Sequence, residues 1–205
     1  MISKIGRQLL AGPVTAIIIR LQGTGITPNG LTSLGFLLTS ISALFLLLGY
    51  LRWGGVLLIV AALFDMLDGS LARQTNQVSS FGAFWDSTLD RYSESLTLLA
   101  LVFYYTNLPA VAGSKGSSTE IMLLAVTLIG SFMVSYTRAR AEALDFECKV
   151  GVLQRPERVI LLIVGLLFGW MVPVLWILAI FTNATAIQRM YEVYTQAQAR
   201  SAKLS

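Results

Sequence analysis

Residues 56–73 read VLLIVAALFDMLDGSLAR, an apolar run that ends in Asp65 and Asp68. Two further carboxylates, Asp86 and Asp90, precede the next long apolar run. An isolated charge inside a bilayer is energetically costly, so acidic residues within apolar segments are suspected of function. This stretch therefore indicates both a membrane-embedded helix and a chemically active site at its end.

The composition is that of a membrane protein. Of 205 residues, 55% are hydrophobic and only 13% are charged, whereas soluble domains carry about 25% charged residues. Several runs approach the roughly 20 apolar residues that cross a bilayer. The chain has no histidine, so chemistry must depend on carboxylates, hydroxyls, Lys, Arg or a hard metal ion. We predict an all-α integral membrane protein in contact with membrane lipids and expect no nucleic-acid partner.

We predict a single domain, 1–205, with six transmembrane helices. The apolar segments lie at 31–50, 53–72, 84–108, 119–137, 156–172 and 174–190. Five spans are the alternative, because residues 159–187 are nearly uncharged, but GWMVP at 169–173 offers a turn. With six spans, nearly all basic residues lie on one side and only Arg52 and Lys115 on the other. The positive-inside rule therefore favours six spans.

The same rule predicts a multi-pass protein of the cell membrane with both termini and the acidic site facing the cytoplasm. Residues 1–26 are predicted to form an amphipathic interfacial helix, with Lys4 and Arg7 turned away from its apolar face. A simple N-terminal anchor is the alternative. Residues 31–190 would form the six-helix bundle and 191–205 a cytoplasmic tail.

The spacing of the acidic residues places them on helix faces. Asp65 and Asp68 are three residues apart, and Asp86, Asp90 and Glu94 follow at intervals of four. The short loop between the two groups predicts antiparallel neighbouring helices whose acidic faces meet. Facing carboxylates repel unless they are countered, and oxygen ligands without His or Cys suit Mg²⁺, Mn²⁺ or Ca²⁺. Two Mg²⁺ ions would neutralise four Asp and suit phosphoryl transfer.

Three neighbouring residues fit such a site. Arg73, one turn beyond Gly69, is the other available countercharge. Gly69 and Gly82 lack side chains where a bulky ligand could approach the backbone. Helix–helix contact is the alternative for each glycine.

These residues carry a family resemblance. The pattern is Asp65-x2-Asp68-Gly69-x2-Ala72-Arg73-x8-Gly82-x3-Asp86-x3-Asp90. It resembles the motif of the CDP-alcohol phosphotransferases at every fixed position, and the six-span pattern extends the resemblance over essentially the whole chain. The resemblance implies an enzyme that cleaves the pyrophosphate of a CDP-linked lipid, releases CMP and passes the phosphatidyl group to an alcohol. It also implies a homodimer.

The resemblance implies a role for each motif carboxylate. Asp65 and Asp86 would bridge two Mg²⁺ ions (Mn²⁺ is possible), Asp68 would complete one site and Asp90 the other. Asp90 would also act as general base on the acceptor hydroxyl. Glu94 lies outside the motif, and we interpret it as a polar support for the site or as a helix partner.

The resemblance also implies a binding site for the CDP-lipid donor. Its residues would be Thr27, Pro28, Asn29, Gly30, Gly69, Arg73 and Ser79. For the first four residues, a turn that caps a helix is the alternative interpretation.

Arginines suggest the acceptor. Residues 135–142 and 154–158 resemble stretches of the phosphatidylinositol phosphate synthases. This resemblance implies that Arg138, Arg155 and Arg189 bind the phosphate of inositol 1-phosphate. The first of these positions is commonly Lys in that group. Three convergent arginines suit a phosphorylated polyol. The alternative is that these arginines set the membrane topology or contact anionic lipid headgroups.

We therefore expect transfer from CDP-diacylglycerol, or its archaeal equivalent, to inositol 1-phosphate. The same chemistry with another acceptor, glycerol 3-phosphate first, is one alternative. A divalent-cation transporter that uses the acidic faces as its ion path is a more distant one.

Overall fold

The computed structural model describes residues 12, 18–20, 25–112 and 118–202, and these contain helices and no strands. The interfacial helix predicted for 1–26 lies largely outside the described residues. The long helices are α1 (Pro28–Leu47), α2 (Leu51–Gln74), α3 (Ser80–Ala112), α4 (Ser118–Glu142), α5 (Arg155–Phe168) and α6 (Met171–Ala202).

Among the described residues, four helices, α1, α2, α4 and α6, are long and apolar enough to cross a membrane. The all-helical, membrane-type fold class is therefore confirmed. The helix α5 has only 14 residues, and α3 carries Asp86, Asp90 and Glu94 in its first half. That these two also cross the bilayer stays a prediction.

Local sequence signals set the ends of the helices that frame the site. Thr27 is the N-cap of α1, and its Oγ1 accepts a hydrogen bond from Gly30 N–H at 3.1 Å. The helix α5 begins at Arg155 after an extended Gln154 and ends at Phe168, and its C-cap Gly169 has a φ of 74° in the left-handed region. Glycine adopts that conformation readily, so Gly169 divides the long uncharged stretch into α5 and α6.

The six helices pack as a closed ring. Within the part of the chain that the structure describes, each helix packs on two others, in the cyclic order α1, α2, α5, α6, α4, α3. The apolar part of the ring centres on buried Leu101, Leu124 and Leu175. At Gly130 a Cβ would collide with the Thr182 side chain, so the missing side chain permits the close approach of α4 and α6.

One sequence expectation is wrong. The acidic helices α2 and α3 are not packed neighbours, since no Cα atom of α2 within the described residues lies within 8 Å of one in α3 at a sequence separation of three or more. Both instead pack on α1, which lies between them in the ring. The short loop from Thr75 to Ser79 crosses that gap, and the acidic faces confront each other across the interior of the ring.

Candidate active site

Asp68 is the most buried of the motif carboxylates, with 5% of its surface exposed. Its Oδ2 accepts a hydrogen bond of 2.7 Å from Thr32 Oγ1 of α1. Its other oxygen accepts from the Gly69 N–H. Hydrogen bonds to an ionised carboxylate are stronger than those between neutral groups, so α1 and the start of the next turn of α2 together orient Asp68.

Arg155 connects the two acidic helices from α5. Its Nη2 lies 2.9 Å from Asp65 Oδ2 and 2.8 Å from Asp90 Oδ1. Asp90 is also 3.4 Å from Nη2 of the adjacent Arg91. Because one nitrogen contacts both carboxylates, Asp65 and Asp90 face the same small space although their helices do not pack together.

Asp86 completes the acidic group. It lies one helical turn before Asp90 and is partly exposed. Its charge interacts with those of Asp65, Asp68 and Arg155. The structure therefore brings the four predicted carboxylates to one region of the ring.

The donor set fits a hard divalent cation, because its groups are carboxylates without thiol or imidazole. As the side chains stand, no three acidic or thiol groups among the described residues are arranged to hold a metal ion. Arg155 lies between Asp65 and Asp90 and contacts one oxygen of each. A metal at this site would compete with Arg155 for the same oxygens.

The predicted nucleotide residues form two groups, one around the starts of α1 and α3 and one on α2. Ser79 Oγ accepts from the Gly82 N–H at 3.0 Å. A Cβ on Gly82 would lie 3.0 Å from Ser79 Oγ and 3.1 Å from Asn29 Oδ1. The structure thus brings Asn29 and Ser79 together at Gly82, beside the α1 start formed by Thr27, Pro28 and Gly30.

The second nucleotide group lies on α2. Arg73 folds back along its own helix, and its Nη2 donates to Ser70 Oγ at 3.3 Å. A Cβ on Gly69 would lie 3.5 Å from Arg73 Nη1. That distance is ordinary van der Waals contact, so Gly69 is not required for this position of the guanidinium. The guanidinium lies at the end of α2, where it can bind an anionic group.

The three predicted acceptor arginines have separate partners. Arg138 pairs with Glu142 on the surface at 2.8 Å. Arg189 is 4% exposed, and it donates to the backbone carbonyls of Val150, at 2.9 Å from Nε, and Val134. The charges of Arg138 and Arg189 interact with each other. Arg155 instead contacts the acidic group.

Sequence reasoning missed three residues at the site. Thr32 had no recognisable signal. Arg91, which donates to Ser135 Oγ at 2.8 Å, could have been noticed beside Asp90. Arg158 could have been noticed three residues after Arg155, and it forms a two-pronged ion pair with Glu94. Of the two interpretations of Glu94, this contact matches the helix partner.

Comparison with known proteins extends the resemblance. The family model for CDP-alcohol phosphatidyltransferase matches residues 25–188. The chain is 38% identical over 193 residues to the archaetidylinositol phosphate synthase of Pyrococcus horikoshii, covering 94% of this chain and 96% of that one. It is 32% identical over 194 residues to the phosphatidylinositol phosphate synthase of Mycobacteroides abscessus, covering 91% and 84%.

Solved structures agree. The phosphatidylinositol phosphate synthase of Mycobacterium tuberculosis with CDP-DAG bound superposes with a TM-score of 0.79 at 29% identity, over 89% of this chain and 94% of that chain. The same enzyme in complex with manganese and citrate also gives 0.79, at 30% identity over 89% of each chain. The resemblance that the acidic motif carries is thereby confirmed: the chain belongs to the CDP-alcohol phosphatidyltransferase family and is a membrane transferase of phospholipid biosynthesis.

Proposed function

We propose that this transferase moves the phosphatidyl group of CDP-diacylglycerol, or of the archaeal ether-lipid equivalent, to a hydroxyl of inositol 1-phosphate and releases CMP. The observation that carries the proposal is the position of Arg155, whose Nη2 lies 2.8 Å from Asp90. An arginine beside the carboxylate that would accept the proton suits an acceptor that bears a phosphate near its hydroxyl. The names of the relatives that match more than nine-tenths of the chain point to the same acceptor class.

The donor would bind at the starts of α1 and α3 and the end of α2. Thr27, Pro28, Asn29, Gly30 and Ser79 would surround the nucleotide, with Gly69 leaving the backbone accessible. Arg73 would bind the pyrophosphate. The similarity to a solved enzyme that holds CDP-DAG supports this assignment.

Two Mg²⁺ ions, or Mn²⁺, would be held by Asp65 and Asp86 jointly, with Asp68 at one ion and Asp90 at the other. The similarity to an enzyme crystallised with manganese supports a divalent ion here. Such ions polarise phosphoryl oxygens and neutralise the charge that develops on the leaving group. Because Asp68 is held by Thr32 at 2.7 Å, one ligand oxygen would be oriented before any ion binds.

The chemical step would depend on Asp90. Its carboxylate would take the proton of the acceptor hydroxyl while the hydroxyl oxygen forms a bond to the lipid-side phosphorus. The bond from that phosphorus to the bridging oxygen breaks, and CMP leaves with the bonding electrons. Arg155 would hold the acceptor phosphate beside Asp90, with Arg138 and Arg189 contributing positive charge from α4 and α6.

The test is an acceptor panel. Purified enzyme, labelled CDP-diacylglycerol and Mg²⁺ are incubated separately with inositol 1-phosphate, glycerol 3-phosphate, inositol and serine, and both CMP and the lipid product are identified. We expect turnover with inositol 1-phosphate at least about tenfold above the others, because a site built to bind a phosphate rejects an analogue without it. Preferred turnover of glycerol 3-phosphate or of free inositol would refute the acceptor assignment.

We also propose six membrane spans, cytoplasmic termini and active site, and a homodimer. Cys148 is the single cysteine of the chain, so Cys148→Ser provides a background for placing single cysteines. A cysteine at Asn76 should react with an impermeant reagent only after the inner face is opened, and one at Tyr50 should react in intact cells. Labelling with the opposite sidedness would overturn the topology. Cross-linking of the protein in membranes tests whether it forms a homodimer.

A further inference from the structure

The helices α3 and α5 lie on opposite sides of the ring. Among the described residues no Cα atom of α3 is within 8 Å of one in α5. A cavity of about 50 Å³ lies between them. It is lined by residues of all six helices, including Thr39, Ala61, Glu94, Thr127 and Leu178. Direct contact between the two helix backbones therefore does not set their separation.

Two ion pairs cross this interior. The outer pair joins Asp90 to Arg155 at 2.8 Å. The inner pair joins Glu94 to Arg158, with Nε to Oε1 at 2.6 Å and Nη2 to Oε2 at 2.7 Å. Each member of the inner pair lies about one helical turn further along its helix than the corresponding member of the outer pair. The two pairs thus connect the same faces of α3 and α5.

The inner pair is built differently from the outer one. The Arg158 side chain is 3% exposed and that of Glu94 12%. Arg158 Nη1 also points to the Leu153 carbonyl, at 3.4 Å, so all three guanidinium nitrogens have a protein acceptor. With 3% of its side chain exposed, Arg158 is enclosed by protein, so we expect any effect on the reaction to pass through other residues.

We propose that Glu94 and Arg158 are positioning residues, which set the separation of α3 and α5 and thereby hold Arg155 against Asp90. A two-pronged pair between a planar guanidinium and a carboxylate defines both distance and orientation. Arg155 begins α5 one turn before Arg158, so the helix transmits that placement to the outer pair. The inference rests on the acceptor-binding role proposed for Arg155.

The first experiment compares Glu94→Gln and Arg158→Lys with Glu147→Gln. Glu147 pairs with Lys149 at 3.1 Å on the surface, where its side chain is 81% exposed, so it is a matched Glu-to-Gln control. We expect kcat/KM for inositol 1-phosphate to fall by about 10- to 100-fold in the first two variants, as a misplacement of about 1 Å can produce. In the same two variants, binding of CDP-diacylglycerol should stay within about twofold of the wild type. In Glu147→Gln, both the acceptor kcat/KM and the donor binding should stay within about twofold of the wild type. Equal loss of donor binding would show a general packing role and overturn the proposal.

The second experiment is a double-mutant cycle with Arg155→Ala. If Glu94 acts through Arg155, Glu94→Gln should lower kcat/KM by less than about twofold more once Arg155 is gone. Independent multiplication of the two losses would refute the positioning role while leaving the proposed function intact. If instead Arg155→Ala alone leaves acceptor kinetics unchanged, the proposed function fails. Elution as a single species and retained CDP-lipid binding show that each variant is folded. If Glu94→Gln does not fold, Arg158→Lys takes its place in the cycle.

Discussion

The hydrogen bond from Thr32 to Asp68 permits a test of how the acidic site is organised. Thr32 Oγ1 lies 2.7 Å from Asp68 Oδ2 and 3.1 Å from the Pro28 carbonyl. Both side chains are buried, each residue being 5% exposed. The substitution Thr32→Val keeps the shape of the side chain and removes only the hydroxyl, so it deprives Asp68 of its one side-chain donor among the described contacts.

The expected loss follows from the type of bond. A hydrogen bond to a charged group contributes about 1.5–3 kcal/mol, which corresponds to roughly 10- to 150-fold in a rate or binding constant. Residues that orient a metal ligand cost about 10- to 100-fold in metal affinity or activity when they are mutated. We therefore expect Thr32→Val to lower kcat/KM by about 10- to 100-fold and to raise the Mg²⁺ concentration required for half-maximal activity.

The assay is CMP release at varied Mg²⁺, with two control variants. Thr32→Ser keeps the hydroxyl and should retain most of the activity. Thr39 lies on the same helix, and among the described residues its Oγ1 donates only to the Gly35 carbonyl of that helix, at 3.1 Å. The variant Thr39→Val should therefore stay within about twofold of the wild type. An unchanged Mg²⁺ dependence in Thr32→Val, or an equal loss in Thr39→Val, would refute the orientation of Asp68 by α1.

Three further predictions concern single residues. Asp90→Asn should lower CMP release by about 10²- to 10⁴-fold while CDP-lipid binding persists, and full activity would show that another group is the base. Gly82→Ala places a Cβ 3.0 Å from Ser79 Oγ and 3.1 Å from Asn29 Oδ1, so the KM for the CDP-lipid should rise several-fold in steady-state kinetics; an unchanged KM would separate these groups from the nucleotide. Gly169→Ala forces a left-handed φ of 74° on a residue with a Cβ, at a cost of about 1–2 kcal/mol. Its Tm in detergent should fall while kcat is unchanged, and an unaltered Tm would contradict the strain.

Much of the site could be predicted from local sequence. The intervals of three and four residues between the carboxylates place them on helix faces whatever the rest of the chain does. The N-cap at Thr27 and the left-handed end at Gly169 likewise follow from the preferences of their own residues. For this reason the helix order and the acidic motif could be predicted before the fold was known.

The order of the helices around the ring had no such local signal. A short loop between α2 and α3 favours antiparallel neighbours, yet α1 packs on both and separates them. Helix packing depends on complementary surfaces along whole helices, and the loop only has to span the remaining gap. The prediction of adjacent acidic helices was wrong for that reason.

The sequence by itself determined a helical membrane chain, its acidic motif and its family, because hydropathy, helical periodicity and motif spacing are properties of neighbouring residues. Only the tertiary structure decided which side chains meet. Glu94 and Arg158 are 64 residues apart in sequence and 2.6 Å apart in the fold. Arg189, one of three similar arginines in the sequence, is buried against backbone carbonyls, whereas Arg155 contacts the acidic group. Such pairings depend on how six helices close into a ring, which no local pattern of residues specifies.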